Sequence, residues 1–115
     1  EYDTNWKMIN GYPKKAGWIK AIQEGQQKVR KGLQLDCPIL VMSSDKSYPE
    51  TEEWHNEYLS SDIVLNVHDI QEYAPRLGNL VTRDTITNGM HDLILSGKAS
   101  RDHTYRIVFD WMKGQ

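Results

Sequence analysis

Apolar positions from Lys14 to Lys31 recur at helical spacing. Trp18, Ile22, Gly25 and Val29 share one face, with Ile19 beside them. Lys14, Lys15, Lys20, Lys28, Arg30 and Lys31 fill the remainder, and Gly32 supplies a stop. Late cations suit a helix C-terminus. Upstream, Asn10-Gly11 is a turn signal and Pro13 suits a first helical turn. Pro38-Ile39-Leu40-Val41-Met42 is a continuous apolar run that ends in Ser43-Ser44-Asp45. Such a run predicts a strand buried on both faces, as in a parallel sheet. Residues 43–61 are polar, with Pro49 and several acids, and predict an excursion that Trp54 and Tyr58 pack onto the body. Residues 61–67 fit strand and loop equally.

Ile70, Tyr73, Ala74 and Leu77 are spaced i, i+3, i+4, i+7, which predicts a short amphipathic helix. Pro75 should kink or shorten it, and Gly78 fits its end. Leu80 to Thr87 is rich in β-branched residues and predicts a second strand, more polar and so nearer an edge. Asn88-Gly89 makes a turn. The last helix is expected from Ser100, a good N-cap, to Met112, with Tyr105, Val108, Phe109 and Met112 as its apolar stripe and Gly114 as its close.

The order helix, strand, helix, strand, helix argues for an α/β architecture with parallel strands and crossover helices. Two strands are few for a parallel sheet, because such sheets cover both faces and usually hold about 4–6 strands. The first residue is Glu1 rather than Met. Together these lead to the expectation that residues 1–115 are a piece of a longer domain or part of an obligate assembly.

Composition narrows the function classes. Lys and Arg number 14 and Asp and Glu 16, for a net charge of −2. That balance argues against a dedicated nucleic-acid or anionic-membrane binder. Four Trp and six Tyr provide the aromatic area for a core. No apolar run approaches the roughly 20 residues that span a bilayer, and no signal-peptide pattern is visible. The single Cys37 forms no internal disulfide, and no CxxC motif exists. The expected setting is a reducing, cytoplasmic one. His55, His68 and His103 show no paired ligand spacing, so no metal or other cofactor is expected.

In open α/β sheets functional groups gather past the carboxyl ends of the strands. Here Ser44-Asp45 and then Asp62 follow the first strand, and Asn88-Gly89-Met90-His91-Asp92 follows the second. A carboxylate after one strand and a histidine after the next would meet at one rim. The acid would orient the imidazole and stabilise its charged form, and the imidazole would serve as general base and acid.

The last roughly 80 residues resemble the C-terminal third of a serine α/β-hydrolase, in the lysophospholipase and monoacylglycerol-lipase-like branch. CPILVMSSD resembles the penultimate core strand and SDIVLNVHDI the segment with the acid. LGNLVTRDTITNGMHDLILS resembles the last strand and histidine loop, and YRIVFDWM the terminal helix. The resemblance implies a partial α/β-hydrolase fold, its last two parallel core strands with flanking helices. In that family the triad runs Ser, Asp or Glu, His along the chain. His91 then takes the place of the general base and Asp62 that of the acid. Asp45, directly after the apolar strand, is the rival for the acid. Asp62 fits better, because an apolar pair and a helix follow it.

The sequence departs from the family in lacking the G-x-S-x-G nucleophile elbow and the oxyanion-hole segment. Ser43, Ser44, Ser60, Ser61, Ser96 and Ser100 have no elbow context and read as turn or cap residues. The expected function is therefore the C-terminal segment of a hydrolase that cleaves a carboxylic ester of a lipid or small acyl group. This chain would supply acid and histidine but be inactive alone. A relative with an aspartate nucleophile, also supplied by the absent part, fits the same residues. The partners implied are an ester substrate in the full-length parent, together with a second copy of the chain or the missing N-terminal part. The alternative is a non-catalytic α/β interaction or ligand-binding module that self-associates through an open sheet edge.

Overall fold

The computed structural model describes residues 13 and 15–115, so the expected Asn10-Gly11 turn and the position of Lys14 lie outside it. Helix α1 runs Ala16–Lys31 and ends at Gly32, whose φ of 95° is a conformation that a side chain would disfavour. The chain then turns against the segment after helix α2 (Val67–Tyr73). The Leu33 N–H donates to the Arg76 carbonyl at 2.6 Å, and the Leu35 N–H donates to that of Leu77 at 3.1 Å. Strand β1 spans Ile39–Ser44 and strand β2 spans Val81–Ile86. They pair in parallel, from Ile39 opposite Val81 to Ser44 opposite Ile86. Helix α3, Lys98–Lys113, follows. The mixed α/β class with parallel strands is thus present, as a two-stranded sheet.

Helices lie on both faces of the strands. On one, the Gln71 amide donates to the Ser43 hydroxyl at 2.8 Å, and Arg83 donates to the Gln71 carbonyl at 3.1 Å. On the other, the Trp111 indole N–H donates to the Thr82 hydroxyl at 3.2 Å. The side-chain alternation of the paired strands produces this division.

Three elements differ from the sequence reading. Helix α2 starts at Val67 rather than Ile70, because the Asn66 side chain accepts the His68 N–H at 3.0 Å and caps the extra turn. It passes at Ala74–Arg76 into a 3₁₀ turn, where Pro75 falls. Helix α3 starts at Lys98, so Ser100 is inside it rather than at its cap; its hydroxyl donates instead to the Thr87 carbonyl at 2.7 Å. Strand β1 is only half-buried from Ile39 to Met42 and fully buried at Ser43 and Ser44. One neighbouring strand and partial helical cover do not enclose it.

The core is correspondingly thin. Among the described residues only Tyr58, Ala74 and Ile86 are buried apolar side chains, while Trp18, Ile19, Ile22 and Phe109 are exposed. No residue of α1 is buried. The Cα radius of gyration is 16.0 Å, against about 13 Å for a compact chain of this length. No helix among the described residues is long and apolar enough to cross a membrane.

Candidate functional site

Past the end of β1 the chain stays extended long enough to form a parallel bridge between Ser47 and Asp62. The Asp62 N–H donates to the Lys46 carbonyl at 3.0 Å, and the Tyr48 N–H donates to the Asp62 carbonyl at 3.0 Å. The backbone of Asp62 is therefore clamped on both sides. Its side chain accepts the N–H groups of Val64 and Leu65, each at 2.8 Å on Oδ1. These local bonds turn the segment into a loop, resolving its ambiguity in favour of irregular backbone. The Ser47 hydroxyl closes the same loop, donating to the Leu65 carbonyl and accepting the Val67 N–H, both at 2.9 Å.

The second half of the site grows from β2. Ile86 is completely buried and anchors the strand end. The Gly89 N–H donates back to the Ile86 carbonyl at 3.0 Å, with Asn88 in the left-handed region at φ 56°. A side chain at Gly89 would meet Leu93 Cδ2 at 2.7 Å and the Ile86 carbonyl oxygen at 3.1 Å. The Met90 N–H then donates to the buried Ser96 hydroxyl at 2.8 Å, and Asp92 caps a 3₁₀ turn at Leu93–Leu95 by accepting the Ile94 N–H at 3.3 Å. His91 sits in this closed loop.

The two loops meet. His91 Nδ1 lies 3.0 Å from Asp62 Oδ2 and 3.1 Å from Oδ1. The Asp62 side chain is 3% exposed, whereas that of His91 is 43% exposed. Burial pushes the Asp62 carboxyl up. The Leu65 N–H, the His91 imidazole and the Val64 N–H outweigh it, and the group titrates below the ordinary aspartate value of 3.8. An ionised carboxylate only accepts, so Nδ1 carries a proton, and in the neutral ring Nε2 is the acceptor. Among the described residues nothing is hydrogen-bonded to Nε2, and no serine, threonine or cysteine bonds the ring.

Asp45 is placed elsewhere. Its Oδ1 accepts the Asn88 N–H at 3.0 Å, and Lys46 Nζ donates to the Asn88 side chain at 3.3 Å. It ties the turn after β2 to the end of β1 and makes no bond to His91. An open apolar groove of about 510 Å³ runs from His91 between Met42, Leu93, Tyr105 and Val108.

Sequence reading missed Ser96 and Ser47 as the clamps of these loops, since a hydroxyl bonding a remote N–H leaves no local pattern. It weighed His68 as a metal ligand and set it aside without Asp69 and Glu72, whose ligand atoms lie with its own within 4.8 Å of one another on the exposed side of α2. The signal was there in the one-turn spacing of His68 and Glu72. Glu72 is already paired with Arg76 at 3.4 Å. Cys37 is exposed.

No family model matches the chain, and neither a curated protein nor a solved structure matches it.

Proposed function

We propose that this chain is the acid-and-histidine segment of a serine hydrolase of the α/β-hydrolase fold that cleaves carboxylic esters. The observation that carries the reading is the buried, ionised Asp62 set against Nδ1 of a half-exposed His91. An acid in that position fixes the tautomer and stabilises the imidazolium. In the reaction a serine hydroxyl from polypeptide outside these residues attacks the ester carbonyl, and His91 Nε2 takes its proton. The tetrahedral intermediate collapses to the acyl-serine as His91 gives the proton to the departing alkoxide. A water molecule repeats the sequence and releases the acid. Asp62 remains ionised throughout. The parallel strands, with helices on both faces and both site loops past their C-terminal ends, are compatible with the last two core strands of that fold.

The test is fluorophosphonate labelling of this chain and of the product of the gene extended upstream. Labelling of the longer product alone, lost in its His91→Ala form and reduced in rate on the order of 10⁴-fold in Asp62→Asn, is the expected result. A longer product that is never labelled removes the reading and leaves a non-catalytic α/β module.

A further inference from the structure

Asp45 makes no bond to His91, yet it joins the strand that leads to the acid to the turn that leads to the histidine. By alternation along an extended chain, consecutive residues at the exit of β1 bond in opposite directions. The Asp45 N–H turns to β2 and donates to the Ile86 carbonyl at 3.1 Å, whereas the Lys46 carbonyl turns the other way and accepts the Asp62 N–H at 3.0 Å. The Asp45 side chain also reaches the end of β2, where its Oδ1 accepts the Asn88 N–H at 3.0 Å. Lys46 Nζ adds a bond to the Asn88 side chain at 3.3 Å. Two adjacent residues therefore hold both loops, Asp45 the one with His91 and Lys46 the one with Asp62. A single trans peptide joins them, at a fixed Cα separation of about 3.8 Å.

Neither loop has slack beyond these anchors. From Asn88 to His91 the path runs through Gly89, where added bulk would strike Leu93 and Ile86, and through Met90, whose N–H is held by the buried Ser96 hydroxyl. On the other side the Asp62 carboxylate is fixed by the N–H groups of Val64 and Leu65. Asn88 itself stands in the left-handed region at φ 56°, a conformation that persists where its surroundings hold it. The Ser100 hydroxyl, 3.3 Å from the Asn88 carbonyl, ties this turn to α3 and not to β1. Among the described residues, the bonds that fix Asn88 against the exit of β1 are those of Asp45 and Lys46. Both residues are exposed, so a substitution at either disturbs no buried packing.

We propose that Asp45 is a positioning residue for His91. Through the Asn88 N–H it sets the histidine loop where Nδ1 meets the Asp62 carboxylate. The duty is that of a hydrogen-bond acceptor, so it needs an oxygen in that place and not a charge. That separates Asp45 from Asp62, whose ionised form fixes the ring tautomer. Truncation of Asp45 leaves the Asn88 N–H to water, and the turn then samples positions in which Nδ1 and the carboxylate are apart. A misplacement of about 1 Å between reacting groups costs on the order of 10²-fold in rate, so a small loosening of the turn is felt at the pair.

The experiment compares Asp45→Ala, Asp45→Asn and Asp62→Asn in the 115-residue chain by long-range nitrogen–proton NMR of His91, with the ring neutral. Asp45→Asn keeps a carbonyl oxygen for the Asn88 N–H and should retain the Nδ1-protonated ring. In Asp45→Ala the ratio of Nδ1- to Nε2-protonated ring should fall about fivefold, the worth of one ordinary hydrogen bond. Its circular dichroism and urea midpoint should stay close to those of the natural chain. A merely structural residue would lower the midpoint and leave the ring alone. In the upstream-extended product, Asp45→Ala should slow fluorophosphonate labelling about tenfold, and Asp45→Asn should leave it as it was. That second arm rests on the hydrolase reading and the NMR arm does not, so a longer product that is never labelled removes that reading while the spectra still decide the role of Asp45. Unchanged spectra in Asp45→Ala overturn the proposal. So does an Asp45→Asn chain that behaves like Asp45→Ala, which would make the charge the essential feature. An Asp45→Asn chain that reverses the ring as Asp62→Asn does would make Asp45 its direct partner, and loss of the fold in Asp45→Ala would assign Asp45 to stability; either result overturns it too.

Discussion

Asp62 directs both carboxylate oxygens to one nitrogen of His91, at 3.0 and 3.1 Å, while Oδ1 alone receives the N–H groups of Val64 and Leu65. That division of labour gives an unusual property to the Asp62→Asn substitution. The asparagine carbonyl must take the place of Oδ1 to keep the two backbone bonds. Its NH₂ then faces Nδ1 from the position of Oδ2, and Nδ1 must become the acceptor. The loop survives and the tautomer reverses. Long-range nitrogen–proton NMR at neutral pH should show His91 protonated at Nδ1 in the natural chain and at Nε2 in the variant. Identical spectra would mean that Asp62 does not govern the ring.

The same carboxylate makes folding depend on acid. Its folded pKa lies below the ordinary 3.8. Between those values the unfolded chain holds a proton that the folded chain does not, so stability rises with pH across the window. Asp62 contributes fully above the ordinary value and loses its contribution as pH falls through the lowered one. Asp102 is shifted the same way by its hydrogen bond from Lys98, but that pair is exposed and screened by salt. Urea midpoints measured from pH 6 to pH 2 at high salt should therefore fall steeply at the acid end for the natural chain. The slope should be visibly shallower for Asp62→Asn. An unchanged slope would show that Asp62 does not contribute.

Elements governed by local chemistry were legible in the sequence. Gly32 marks the end of α1, Asn88-Gly89 marks the turn after β2, and the run from Ile39 marks β1. What escaped has two sources. The start of α2 moved through a local cap, Asn66 to the His68 N–H, that apolar spacing does not report, whereas Ser100 lies inside α3 and its hydroxyl reaches back to the remote Thr87 carbonyl. Trp18 has the spacing of a core residue yet is exposed, since periodicity reports which face is apolar and not whether anything covers it. For the site, local sequence puts both Asp45 and Asp62 after β1 and favours Asp62 only through the apolar pair and helix that follow it. The Ser47–Asp62 bridge carries one to His91, and the Asn88 N–H holds the other away. Neither contact has a local signature.

Two hydroxyls near the excursion should respond oppositely to deletion. Tyr58 is buried, and its hydroxyl joins Thr51 and Glu53 across the loop. Tyr58→Phe leaves the Thr51 N–H without that partner, and it should cost about 1–2 kcal/mol and expose residues 50–57 to limited proteolysis. Ser61 is buried more deeply still, but its hydroxyl has no hydrogen-bond partner among the described residues. Ser61→Ala should leave stability unchanged or slightly raised. Denaturation and protease mapping of the pair would expose the error if the serine proved the costlier.

Glycines separate in the same manner. Gly78 forms a parallel bridge with Leu35, and a Cβ there would collide with the Leu35 carbonyl oxygen, which is backbone and cannot swing aside. Gly78→Ala must push apart the segments that join α1 to the sheet, at about 2–3 kcal/mol. Gly25 lies inside α1 with nothing within 4 Å of where its Cβ would stand. There alanine removes backbone freedom from the unfolded chain at no steric cost, and Gly25→Ala should stabilise α1 by about 0.5–1 kcal/mol. Helix content by circular dichroism should rise in the second variant, and the urea midpoint should fall in the first. If Gly78→Ala were as stable as the natural chain, the close approach of Leu35 to Gly78, and with it the docking of α1 beside the sheet, would be wrong.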